Sequence, residues 1–181
     1  MATGTALVTV EEFRKLKDPP GVRLELHNGE VVEVMRPKLK HWILQTSIAE
    51  LFKLAFGKHG RAGTEYAFRS QPEHDLRVAD VVWVSRGRMK QTLNGDPLGA
   101  PEIVVEVLSP SNTPSEIRDK KHLWVAQGCE EFWTVDPKRR FIEVERKGAP
   151  PRIYRGTDRI PVGNMTSSVD EIFSDVEFED L

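Results

Sequence analysis

Two carboxylates stand inside stretches that are otherwise hydrocarbon. Asp80 is the charged residue of VADVVWV, and Glu106 interrupts EIVVEVL. Side chains alternate along a strand, so Asp80 shares a face with Val78, Val82 and Val84, and Glu106 with Val104 and Leu108. An ionised carboxylate buried without a partner is costly, and each of these therefore needs a cation, a metal or a hydrogen-bond network. Lys120 is a third anomaly. On a helical wheel at about 100° per residue it falls between Leu123 and Trp124, one turn after Ile117, on the stripe that faces the sheet, with Lys121 nearer the edge of that stripe. Two carboxylates and an ammonium on facing elements can hold a divalent cation and act on an anionic substrate. Oxygen ligands suit Mg2+ or Mn2+, which retain waters and accept phosphate oxygens. The same three residues also describe an ordinary buried ion-pair network, and their pattern alone leaves both readings open.

The elements that must position these groups are separated by Gly, Pro, Asn and Asp clusters. Residues 22–34 alternate around Asn28-Gly29, a pair that tolerates positive φ, and predict an N-terminal hairpin. HWILQTSIAELFKLAF places Ile43, Leu44, Ile48, Leu51, Leu54 and Ala55 at helical spacing, with Gly57 as its stop. Strands are expected over 64–70, 78–84 and 103–108. The last two are nearly continuous Val, Ile, Leu and Trp runs, which suits strands covered on both faces. In SPSNTPSEIRDKKHLWVAQG, Thr113 can cap a helix, Pro114 fits its first position, Glu116 completes a capping box, and Gly128 ends it. Residues 132–135 and 141–145, joined by DPKRR, predict a second hairpin, and the acidic stretch 170–181 a peripheral element.

A chain of 181 residues suits one domain, here 1–181, with enough hydrophobic residues (39%) to build a core. Its net charge of −2 excludes a globally basic nucleic-acid binder, so any such contact must be local. Arg86, Arg88 and Lys90 in SRGRMK, and Lys138, Arg139 and Arg140 in DPKRR, are the candidates, with a solvated loop or turn as the plainer reading of each run. Cys129 stands alone and reads as a small buried hydrophobe. No stretch approaches the roughly 20 apolar residues needed to span a bilayer, and the start has no leader pattern, so a soluble cytoplasmic protein without membrane contact is expected.

RVADVVWV, APEIVVEVLSPSN and DKKHLWVAQGCEEFWTVDP together resemble the Uma-type family of restriction endonucleases, long catalogued as a domain of unknown function. The likeness extends upstream through Glu11 to Phe13, RLELHNGEVVEV and His41, and so covers nearly the whole chain. It implies the PD-(D/E)XK nuclease superfamily: an α/β (α+β) restriction-endonuclease-like fold with a central mixed β-sheet flanked by helices. The family's aspartate falls on Asp80, its acidic strand residue on Glu106 and its lysine on Lys120. Ala79 stands where the superfamily name has proline, and Leu108 where the standard lysine would be, as in branches whose lysine has moved to the following helix. The resemblance implies Mg2+ or Mn2+ on Asp80, Glu106 and the Val107 carbonyl. Lys120 then orients the attacking water or stabilises the developing charge. His41 and Glu25 match further positions, as site-lining residues or as satisfied structural ones. The expected activity is endonucleolytic hydrolysis of phosphodiesters, in DNA, by a homodimer, since one site faces one strand of a duplex. A nuclease fold without turnover, serving as a nucleic-acid-binding or scaffold protein, is the alternative. A glycosidase carboxylate pair lacks aromatic lining, and a Ser109 or Ser111 nucleophile lacks a partner histidine motif.

Overall fold

The computed structural model describes residues 7–91, 95, 97–110 and 112–176; Ser111 and the end of the acidic tail lie outside them. A short helix α1 (Val10–Phe13) opens the chain, closed by a Thr9–Glu12 capping box. The hairpin β1 (Val22–His27) and β2 (Glu30–Met35) follows as a separate two-stranded sheet, turning on Asn28 and Gly29, both at positive φ. Helix α2 (Leu39–Phe56) ends at Gly57, φ +48°. Next come β3 (Gly60–Phe68), β4 (Arg77–Ser85), α3 (Arg86–Gln91), β5 (Ile103–Val107), α4 (Pro114–Ala126), β6 (Glu131–Asp136), β7 (Phe141–Arg146) and β8 (Arg152–Arg155). A small hairpin, β9 (Arg159–Val162) and β10 (Met165–Ser168), leads into α5 (Val169–Phe173).

Six strands form the central sheet in the order β3-β4-β5-β6-β7-β8. It is mixed: β5 and β6 run parallel, joined by α4, and the other pairs are antiparallel. Hydrophobic clusters cover both faces. One joins α2 and α5 to Val81, Val105, Val107, Trp133 and Val135. The other joins Trp124 of α4 to Val82, Val84, Val104 and Phe132. Double coverage explains the apolar runs of β4 and β5, since neither strand has a face left for water. Trp124 is fully buried with its ring 4.3 Å from Phe68. Withdrawing such a side chain from water contributes on the order of 2–3 kcal/mol.

Helix α4 forms as its sequence dictates: the Thr113 hydroxyl accepts from the Glu116 N–H, the Glu116 carboxylate accepts from the Thr113 N–H, and Pro114 occupies the first turn. Three features depart from the sequence expectation. SRGRMK is helical, as α3. The segment from residue 170 is no mere periphery, because Val169, Ile172 and Phe173 enter the core beside α2. Strand β4 also alternates less simply than its sequence suggests. Ala79 and Val81 are buried, then the pattern changes phase and Val82 and Val84 are buried instead, with Val78 only half-buried. Across from this phase change stands Glu65 of β3, between the paired Thr64 and Tyr66, at φ +53°.

Candidate metal and phosphate site

Strands β4 and β5 pair through Val81 with Val105, Val82 with Val104 and Trp83 with Ile103, so the next step of the register sets Asp80 beside Glu106. Asp80 also bonds the edge of β5 directly: the Val107 N–H donates to its Oδ2 at 2.8 Å. The acid is thereby tied to the backbone residue whose carbonyl the sequence proposes as a ligand. Helix α2 approaches from one side. His41 Nε2 lies 3.3 Å from Asp80 Oδ2, and Gln45 Nε2 donates to Asp80 Oδ1 at 3.1 Å. Helix α4 approaches from another, where Lys120 Nζ donates to Glu106 Oε2 at 2.8 Å. The first hairpin supplies Glu25, which accepts from Arg23 Nη2 at 2.7 Å and pairs with His27 Nε2 at 2.9 Å.

Electrostatics follow from this crowding. Glu106 is 3% exposed. Burial pushes its carboxyl up to about 7 against the pull of Lys120, and the Asp80 and Glu25 carboxylates add to the push. Lys120 moves above its ordinary value, because Glu106, Glu25 and Asp80 outweigh the burial that opposes its charge. Burial disfavours the Glu25 carboxylate too, yet its His27 bond, with Lys120 and Arg23, brings it down to about 2. Neighbouring acids driven in opposite directions are a common mark of functional sites.

The atoms left without partners point the same way. Of the eight buried side-chain atoms without a hydrogen-bond partner among the described residues, four gather here, Glu106 Oε1, Gln45 Oε1, His41 Nε2 and Arg23 Nε, and the others belong to Ser70, Trp83, Trp124 and Tyr154. Glu25, Glu65, Asp80 and Glu106 bring four carboxylates against two permanent cations, Arg23 and Lys120. Carboxyl groups thus outnumber those cations in the cluster, an imbalance that a divalent cation would relieve. Among the described residues no group of three or more His, Cys, Asp or Glu side chains closes around a metal. The oxygen set fits the Mg2+ manner of binding instead, with one or two carboxylates and waters completing the shell.

The Uma2 family profile, described as "Putative restriction endonuclease", matches residues 10–174. The chain belongs to the Uma2 family. Its fold is similar to the crystal structure of a "putative nuclease belonging to DUF820" from Anabaena variabilis, with a TM-score of 0.77 and 21% identity over 92% of this chain and 98% of that one. None of the curated proteins matches. The Uma2 fold is thus the restriction-endonuclease-like one that the motifs implied, and no helix among the described residues is long and apolar enough to cross a membrane.

Within this Uma2 chain, Asp80, Glu106, Val107, Lys120, Glu25 and His41 come together as one cluster. Lys121 is no more exposed than Lys120, 18% against 22%, but it pairs with Glu145 at 2.8 Å and Glu143 at 3.7 Å on β7, outside the cluster. Arg86, Arg88 and Lys90 lie past the far end of β4, about 20 Å from Asp80 at the rise of an extended strand. The Arg88 guanidinium there bonds the Ala100 carbonyl and lies 3.4 Å from Glu102. Ser109 bonds Asn112 through both its N–H and its hydroxyl, tying down the β5–α4 loop. A cleft of about 630 Å³ lined by Phe56, Trp83, Glu102 and Glu131 is at that far end too and contains none of the clustered acids. Sequence reasoning missed Arg23, Gln45 and Glu65. Gln45 was detectable as the polar interruption of the apolar stripe of α2; the placement of Glu65 left no such signal.

Proposed function

We propose that this protein is a divalent-metal-dependent endonuclease that hydrolyses phosphodiester bonds in DNA. The observation that carries this reading is Glu106. It is buried in register beside Asp80, with one oxygen held by Lys120 and the other left without a partner. Asp80 and Glu106, with the Val107 carbonyl, are the residues that would hold Mg2+ or Mn2+. The bound cation would lower the pKa of a coordinated water and polarise the phosphate. The protein's own residues do the rest. Asp80 is locked by the Val107 N–H and the Gln45 amide, so its carboxylate does not rotate away. Lys120 stays an ammonium in the company of three carboxylates, which makes it a fixed positive charge for orienting water or stabilising the transition state, and unsuits it as a base. Glu25 lines the cluster from the hairpin and holds further negative charge near Lys120, and His41 borders Asp80.

Family membership supports a nucleic-acid substrate, and duplex cleavage would favour a homodimer, since one site faces one strand. The cytoplasm is the compartment this reading assigns. The test is cleavage of plasmid and oligonucleotide DNA with MgCl2 or MnCl2, with and without chelator, beside a crystal soaked in Mn2+. Metal-dependent cleavage and Mn2+ density between Asp80 and Glu106 are expected. A folded protein that binds Mn2+ at that place and cuts no nucleic acid under either metal would leave a binding or scaffold role in its stead.

A further inference from the structure

Gln45 is fully buried on α2, and its Nε2 donates to Glu65 Oε1 at 2.6 Å as well as to Asp80 Oδ1 at 3.1 Å. Both partners are acceptors, so the orientation of the amide is dictated and both of its hydrogens are used. Its Oε1 is consequently left buried with no donor, which is unfavourable. A methionine has nearly the same shape and would avoid that cost, so burial alone does not explain a glutamine here. Glu65 carries a second cost. It holds φ +53° within β3, a conformation that L-residues with a side-chain Cβ rarely adopt, at the position facing Asp80 across the β3–β4 register. Its carboxylate joins Gln45 to Arg23, and Arg23 also holds Glu25. Two unfavourable local arrangements thus meet beside one carboxylate.

We propose that Gln45 and Glu65 are positioning residues, a hydrogen-bonded relay anchored by Arg23 that holds Asp80 in its metal-ligating orientation. This rests on the reading of Asp80 as a ligand. The relay fixes Oδ1 from α2 while the Val107 N–H fixes Oδ2 from β5. It also sets a neutral donor between the Glu65 and Asp80 carboxylates. Groups that orient a metal's ligands commonly alter affinity by about 10–100-fold when removed.

The experiment is calorimetric titration of the chelator-treated protein with MnCl2, with thermal midpoints measured in parallel without metal. Gln45→Met removes the donor at similar volume. Glu65→Asn suits the left-handed backbone and is too short to reach Gln45. Each is expected to weaken Mn2+ binding about 10–100-fold while the metal-free midpoint holds. The double variant should lose no more than the worse single one, because both act through one chain of contacts. Wild-type affinity in both single variants, fully additive losses, or losses that only track a lower midpoint would overturn the relay. Should Gln45→Met fail to fold, Glu65→Asn decides alone, since its side chain is 33% exposed. A wild type that takes up no Mn2+ would end the metal reading and the relay together, whereas a binding wild type matched by its variants would end the relay alone.

Discussion

At the start of β5, Glu102 accepts from the Ser85 N–H at 3.1 Å and lies 3.4 Å from the Arg88 guanidinium, while Glu131 beside it on β6 takes two bonds from Arg146 and one from the Trp133 indole. At the end of the same strand, Glu106 has one bond from Lys120, an empty second oxygen and two further carboxylates close by. Both ends hold acids on the sheet. At one end each acid has a guanidinium partner, a fork for Glu131 and a single contact for Glu102, at 16–18% exposure; the other buries its acid at 4% with a single ammonium. Ion pairing alone therefore does not mark a site. What distinguishes the Glu106 end is unmet demand: carboxylates outnumbering cations, an acid oxygen buried without a donor and a strained backbone, held in a fold whose other end shows how such acids are satisfied when stability is the only requirement.

The largest expected effect comes from Lys120→Ala. If its charge acts on the attacking water or the transition state, cleavage should fall by roughly two to four orders of magnitude, with Mn2+ binding retained, because a lysine is not a ligand. Lys121→Ala should change cleavage far less, since that residue serves Glu143 and Glu145. Equal losses from both, measured as single-turnover rates on one DNA substrate, would erase the distinction between the neighbouring lysines.

A pH titration of stability sharpens the comparison next. Glu106 has a folded-state value of about 7 against an ordinary 4.5, so its contribution is fully present below about 4.5 and is lost as pH rises through about 7. In chelator, the wild-type thermal midpoint should therefore drop between pH 5 and 8 relative to Glu106→Gln, which has no such proton to lose. Glu25 has the opposite sign: its contribution is present above about 4.5 and disappears only as pH falls toward about 2. Parallel wild-type and Glu106→Gln curves across neutral pH would show that Glu106 is not the strained acid of the pair.

At the other end of β5, Arg146→Ala should cost about 1 kcal/mol of stability, as for a partly exposed pair, and leave cleavage within about twofold. A large loss of activity from that change would dissolve the contrast between the two ends.

Much of this was legible in the sequence because it rests on local rules. The Asn28-Gly29 hairpin, the capping box at Thr113 and Glu116, the Gly57 stop and the doubly covered strands β4 and β5 are all properties of neighbouring residues. Asp80, Glu106 and Lys120 were visible as charges in apolar positions. Gln45 carries no charge and Glu65 lies in a glycine-containing strand, so neither breaks a pattern strongly; their roles arise from contacts 20 and 35 residues away in the chain. The strands after residue 145 escaped notice because they are four residues long and interrupted by Gly and Pro, too short for a period of two to register. The inward turn of Lys121 shows the limit of a helical wheel. It gives direction to within a residue or so, whereas the partner was decided by β7.

The smallest expected effect concerns the two basic runs, which fall on opposite sides of the same comparison. Thr134 and Val135 of β6 pair with Glu106 and Val107, so the turn that follows β6 carries the exposed Lys138 and Arg139 to the Glu106 end of the sheet. Arg86 and Lys90 belong to the Glu102 end, roughly 20 Å from Asp80, a span of about six base pairs at 3.4 Å each. If both runs contact phosphates, replacing Lys138 and Arg139 by Ser should reduce the salt slope of DNA binding by about 1.4–1.8 on any substrate, at 0.7–0.9 per neutralised phosphate. Replacing Arg86 and Lys90 by Ser should do so only on duplexes extending more than about six base pairs past the cleavage point, because shorter ones do not reach them. Slopes measured by titrating one labelled duplex series over increasing salt separate the cases. An unchanged slope on the longest duplex would make Arg86 and Lys90 an ordinary solvated helix face, and leave the Glu106 end as the whole of the substrate's footing.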